Sequence, residues 1–258
     1  MENLKPSDVA EAWVASYLGE RGYQFDKEPD LGVVKRPDYL ITAAGRTVVA
    51  EVKAFETFGL LAGIEPGGPT RSHSLKQALK PVRGQITEAA KQLRPLRDRG
   101  WPLVVILANP AERPIPLTTP MIISAMYGDL EVQIPTLPDG SAGEFRSGLG
   151  RNGKLTNDHE YVSAVAVVRR EFHAKKWLDD WYTANRAEFG DDMRALAAAA
   201  AEARTTAPTG YDIFMEVFET VSEAAVPLPR DVFNGPLDHR WGGNPDGTGI
   251  CRITPEPS

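Results

Sequence analysis

Between residues 8 and 21 the apolar positions Val9, Trp13 and Tyr17 recur at helical spacing, and Ala10, Val14 and Leu18 widen the stripe. This predicts a helix with one core-facing side, capped by Ser7, with Asp8 in its first turn and Gly22 just past its end. The period then drops to two. Residues 39–42 and 47–53 are short and rich in Val, Ile, Tyr and Thr, so they read as strands, with Ala44-Gly45-Arg46 as the reversal. Tyr23-Gln-Phe25 is an extra strand or an extended connection. Residues 55–69 run from Phe55 through an apolar stretch into a loop rich in Pro and Gly. Helical spacing returns from about Ser72 to Arg99, with a break or restart at Pro81 and a second disturbance at Pro95. Within it Ile86, Ala90 and Leu93 face the core, while Gln85, Ala89 and Gln92 share another face. The apolar run Leu103–Ala108 has the length of a buried strand.

The second half is less regular. Proline is dense over 110–138, with Met121–Met126 as a helix or a strand inside it. Residues 161–168 and 212–218 read as strands, 171–185 and 191–204 as helices, and the tail from Gly235 is rich in Pro and Gly. The chain is read as one domain with insertions around 110–160 and 171–208, the alternative being a separate domain that begins near 110.

A hairpin closed at Ala44-Gly45 places Asp38 directly opposite Glu51. Side chains alternate along a strand, so Glu51 and Lys53 share one face and Ala50 and Val52 the other. Opposed residues have Cβ atoms roughly 4.5–5.5 Å apart, which crowds two carboxylates and an ammonium into one patch. Carboxylates that close repel unless a cation lies between them. Mg2+ suits such a place, because carboxylates, waters and substrate phosphates form its usual shell, and Mn2+ can substitute for it. The plain alternative is an exposed Glu51–Lys53 pair worth a few tenths of a kcal/mol.

Pro37-Asp38, twelve intervening residues and then Glu51-Val52-Lys53 resemble the signature of the PD-(D/E)xK nuclease superfamily. Pro-Asp also occurs at Pro29-Asp30, Pro138-Asp139 and Pro245-Asp246, whereas Glu-x-Lys occurs once, at the end of an apolar strand. Asp38 is preferred to Asp30 because it abuts the strand that begins at Tyr39. The resemblance covers about residues 5–110. It implies an α/β, restriction-endonuclease-like core with a central mixed sheet flanked by helices, plus C-terminal extensions. It also implies Asp38, Glu51 and the Val52 carbonyl as Mg2+ ligands, with Lys53 positioning the attacking hydroxide and stabilising the transition state. Glu11 matches by order an acidic residue that binds a second metal or orients water; a solvated first-turn glutamate is the plain alternative. Gln85 lies on the helix that follows Glu-x-Lys, where such nucleases carry a residue near the scissile phosphate. Arg83 and Lys91, on the same helix, are the expected phosphate contacts.

Composition sharpens this picture. The chain has 258 residues, 42% of them hydrophobic, enough for one large core or a core with an accessory lobe. It has no apolar run of transmembrane length and no signal-peptide profile, and its single cysteine, Cys251, excludes an internal disulfide and a Cys-rich zinc site. A cytoplasmic protein with no membrane partner is expected. The four histidines show no metal-ligand spacing, no Gly-x-Ser-x-Gly elbow follows a strand, and Gly148–Leu155 lacks the last residue of a phosphate-binding loop. The net charge is −6, but residues 1–105 carry 15 Lys and Arg against 13 Asp and Glu. Over 71–99 eight basic residues face only Glu88 and Asp98, a balance suited to a polyanion such as DNA. The expectation is a magnesium-dependent nuclease acting on DNA more than RNA, with homodimerisation or association with other subunits left open. The alternatives are a catalytically silent nucleic-acid-binding or scaffold subunit, and a metal-dependent enzyme on a small phosphate ester.

Overall fold

Residues Val48 to Val52 are almost fully excluded from water because the strand that carries them has a partner on each edge and contacts two helices. In the computed structural model, which describes residues 4–43, 45–56, 72–112, 115–244 and 249–253, this strand is β3 (Arg46–Ala54). It follows α1 (Pro6–Glu20), β1 (Gln24–Lys27) and β2 (Tyr39–Ala43). After it come α2 (Leu75–Ala78), α3 (Lys80–Leu93), a 3-10 segment (Arg94–Arg99) and β4 (Leu103–Ala108). The chain continues through α4 (Thr119–Tyr127), β5 (Leu130–Gln133), β6 (Arg146–Leu149) and β7 (Ala164–Phe172). It then forms α5 (His173–Phe189), α6 (Met193–Ala203), β8 (Tyr211–Glu219), β9 (His239–Gly243) and β10 (Ile250–Ile253). Of the stretch expected over 55–69, residues 57–69 lie outside the described residues.

Eight strands form one mixed sheet in the order β1-β2-β3-β4-β7-β8-β9-β10, while β5 and β6 pair by themselves. The β2–β3 hairpin is antiparallel with Tyr39 opposite Ala50, the register the Gly45 turn dictates, and Gly45 has a φ of 73° that few other residues adopt. β3 pairs β4 in parallel, and β4 pairs β7 in parallel. Val82, Ile86, Ala90 and Leu93 of α3 bury against Val49, Val105 and Leu107 of the sheet and against Ile122 and Met126 of α4. Five apolar residues of α1, from Ala10 to Leu18, are buried as well, and α1 contacts β3 and β1.

The molecule is thus α/β, with a large mixed sheet flanked by helices. It divides into two compact units, Met1–Val168 with Met215–Ser258, and Arg169–Phe214. The second holds the helical pair α5 and α6; Asp192 caps α6 by accepting the Ala195 N–H at 2.9 Å. Among the described residues no helix is long and apolar enough to cross a membrane.

Three local expectations are corrected. Lys5, not Ser7, is the N-cap of α1; Pro6 begins the helix, and the Ser7 hydroxyl donates to Asp8. β7 starts at Ala164 rather than Tyr161, because the Tyr161 hydroxyl turns away to Ala90 O at 2.8 Å and the Ser163 hydroxyl accepts the Leu103 N–H at 2.9 Å. The glycine-rich tail contributes two strands, with Trp241 of β9 stacked on Phe218 of β8 at 6.4 Å between ring centres.

Candidate functional site

The backbone of β3 sets the site. Val49 N–H donates to Pro102 O and Phe55 N–H to Ala108 O, so the odd-numbered residues of β3 face β4 and the even-numbered ones face β2. Pairing with β2 ends at Tyr39 opposite Ala50. Val52 therefore turns its N–H and its carbonyl toward an edge where no strand remains. Asp38 fills the place: its Oδ2 accepts the Val52 N–H at 2.6 Å.

Glu51 and Lys53 lie on one face of β3, beneath α3. Glu51 is only 1% exposed, and its Oε1 accepts from Lys53 Nζ at 2.9 Å. Its Oε2 is buried with no hydrogen-bond partner among the described residues. Lys53 Nζ also donates to Gln92 Oε1 at 2.5 Å and lies 3.5 Å from Glu88 Oε1. A cleft of about 690 Å3 opens beside it, with Phe55, Lys80, Gln85 and Glu88 among its walls.

Electrostatics at this place oppose full ionisation. Burial, then the nearby Asp38 charge, pushes the Glu51 carboxyl up to about 7, against a smaller opposite pull from Lys53. Asp38 is raised by burial, partly offset by the Val52 N–H. Glu11 is raised by burial and then by Asp38, so the structure brings this third carboxyl into the electrostatic reach of the pair. The Tyr39 hydroxyl ties α1 to β2 by donating to Glu11 O at 2.8 Å.

These residues fit a hard divalent cation. Asp38 stands at the edge that Val52 faces, and Glu51, with an unpartnered buried oxygen, lies within its electrostatic reach. Among the described residues no cluster of three or more His, Cys, Asp or Glu could hold a metal.

The other candidates fall in different places. Gln85 lines the cleft beside Lys53. Lys91 is exposed near the C-terminal end of α3. Arg83 is corrected: it is 6% exposed, and its guanidinium donates to Ser124 O at 3.0 Å and to Asp129 Oδ1 at 2.5 Å, so its charge is committed to the core. Asp30 is a loop residue bonded to Gly32 N–H and Arg36. Glu88 and Gln92, the residues of α3 that reach Lys53, were not singled out as site residues by the sequence. Their i, i+4 spacing could have found them once Lys53 was placed beneath that helix. Comparison with protein-family models, with curated proteins and with solved structures gives no match.

Proposed function

We propose that the chain is a magnesium-dependent nuclease with a restriction-endonuclease-like core that hydrolyses phosphodiester bonds in DNA. The observation that carries this reading is the buried Glu51 carboxyl, with an unpartnered oxygen and a raised pKa, held beside Asp38 and Lys53. Such a carboxyl is costly in a purely structural role and is relieved by a divalent cation. The order α1, antiparallel β1–β3, α3 and then parallel β4 also matches the core that the Pro-Asp and Glu-x-Lys resemblance implies.

Asp38, Glu51 and the Val52 carbonyl would hold the ion. When bound, Mg2+ supplies charge neutralisation at the phosphate and a water acidified toward neutrality. Lys53, oriented by Glu51 and Gln92, stabilises the negative charge that develops on the phosphate and positions the attacking hydroxide. Glu11 supports a second ion or orients water. The preference for DNA rests on the resemblance.

The test is incubation of the full chain with linear, circular and single-stranded DNA, with and without Mg2+. Metal-dependent cleavage that vanishes in Glu51→Gln is the expected result. Binding without cleavage of any nucleic acid, in Mg2+ or Mn2+, would establish a silent binding or scaffold subunit instead.

A further inference from the structure

On the side of α3 that Lys91 and Gln92 face, a second cleft of about 590 Å3 is lined by Val33, Lys35, Glu88, Lys91, Gln92 and Arg99, among others. Glu88 and Gln92 are also the residues that touch Lys53, so this cleft adjoins the candidate site through shared side chains. Its outer wall, residues 31–36, is tied down. Arg99 donates to Leu31 O at 3.1 Å, Gly32 N–H donates to Asp30 at 3.1 Å, and Arg36 bonds Asp30 at 3.1 Å.

Of the cations that line the cleft, Arg99 is engaged with Leu31 O and lies over the Trp101 ring, while neither Lys35 nor Lys91 has an ion-pair partner among the described residues. Lys35 also favours the ionised forms of both Asp38 and Glu51, which places its charge within reach of the pair. Two unpaired ammonium groups in a held cleft suit a phosphodiester backbone, because each neutralised phosphate releases counterions. Val33, Val34 and Pro95 add apolar walls on which sugar and base can rest. The volume is too small to enclose a duplex.

We propose that this cleft carries one DNA strand away from the site, with Lys35 and Lys91 each bonding a different phosphate next to the cleaved one. The cleaved phosphate and the choice of DNA rest on the nuclease reading, whereas single-strand binding along Lys35 and Lys91 can be tested without it.

The test measures binding of a fluorescein-labelled oligodeoxynucleotide, single-stranded and as a duplex, by anisotropy in EDTA across a salt series. Cleavage in Mg2+ is assayed separately. Lys35→Gln with Lys91→Gln should weaken single-strand binding at least tenfold and reduce the salt slope by roughly 1.4, about 0.7 per lost contact. Lys175→Gln, which removes a lysine paired with Asp179 on α5, should leave the slope parental. A parental slope in the double variant, or an equal loss of slope in Lys175→Gln, overturns the path. So does tighter parental binding of the duplex with an equal loss of slope. If the double variant loses its slope while the parent cleaves nothing, the path stands and the nuclease reading falls. If the parent cleaves but the double variant binds normally, the reverse holds.

Discussion

Asp38 Oδ2 lies 2.6 Å from Val52 N, so a carboxylate continues the β-ladder where backbone pairing between β2 and β3 stops. The same side chain therefore satisfies a strand and stands at the candidate metal centre, and the two roles can be separated by substitution.

Asp38→Ala should both abolish Mg2+-dependent cleavage and destabilise the fold by about 1–3 kcal/mol, because it strands a buried N–H. Asp38→Asn keeps an acceptor oxygen while removing the charge, so it should fold within about 1 kcal/mol of the parent and still fail to bind Mg2+. Urea melts and calorimetric Mg2+ titration of both variants check this. Equal stability of the two variants would show that the bond to Val52 contributes nothing.

The second prediction follows from Glu51, whose folded pKa of about 7 lies above its ordinary 4.5. Between those values the folded chain holds a proton that the unfolded chain has released. Its contribution to stability is therefore intact below about pH 4.5, declines as pH rises, and is lost above about pH 7. The full cost in the metal-free protein is about 3 kcal/mol. In EDTA, the parent should lose stability relative to Glu51→Gln between pH 4.5 and 7, and Mg2+ should restore it at pH 8. A pH-independent difference between the two proteins would mean that Glu51 titrates normally.

The hairpin register was legible because two alternating strands around a single glycine turn leave one pairing that keeps apolar side chains on the core face. The break at the start of α3 and the 3-10 segment after it were legible from Pro81 and Pro95, since proline forbids a continuous ladder. Arg83 was not. Its position among basic residues reads as an exposed face, and the partner that buries it, Asp129, lies 46 residues further on. Periodicity reports which face of a helix a residue occupies, not which loop packs over that face. For the same reason Gln92 was placed on the right face without its bond to Lys53 being visible, since the height of α3 along β3 is a tertiary quantity. β9 was hidden because Gly242 and Gly243 weaken the strand signal; Gly242 admits Ile253 at a distance that an added Cβ would close to 2.8 Å.

Replacement of Arg83 should act on the fold rather than on substrate. Its side chain is 8% exposed and that of Asp129 is 22% exposed, so Arg83→Gln leaves a largely buried carboxylate without its cation. The expected cost is about 2 kcal/mol, below that of a fully buried pair because water still reaches Asp129. The midpoint of thermal unfolding should drop while the salt slope of DNA binding stays parental. A reduced slope at unchanged stability would return Arg83 to the substrate surface.

The last prediction separates Lys53 from the residue that orients it. Glu51, Gln92 and Glu88 surround the Lys53 ammonium, and its side chain is 14% exposed. Lys53→Ala keeps both carboxyls, so it should bind Mg2+ and DNA near parental levels. Its charge is needed more in the transition state than in the bound ground state, so cleavage should fall by orders of magnitude with KM little changed. Gln92→Ala removes one of the three acceptors and leaves the charge, so a loss of roughly tenfold in kcat is expected. Glu restores an acceptor at that position, and Gln92→Glu should recover part of the rate; Gln92→Leu, of similar size and without an acceptor, should not. Equal losses in Gln92→Leu and Gln92→Glu would make Gln92 a packing residue. Full activity in Lys53→Ala would remove the ammonium from the mechanism altogether.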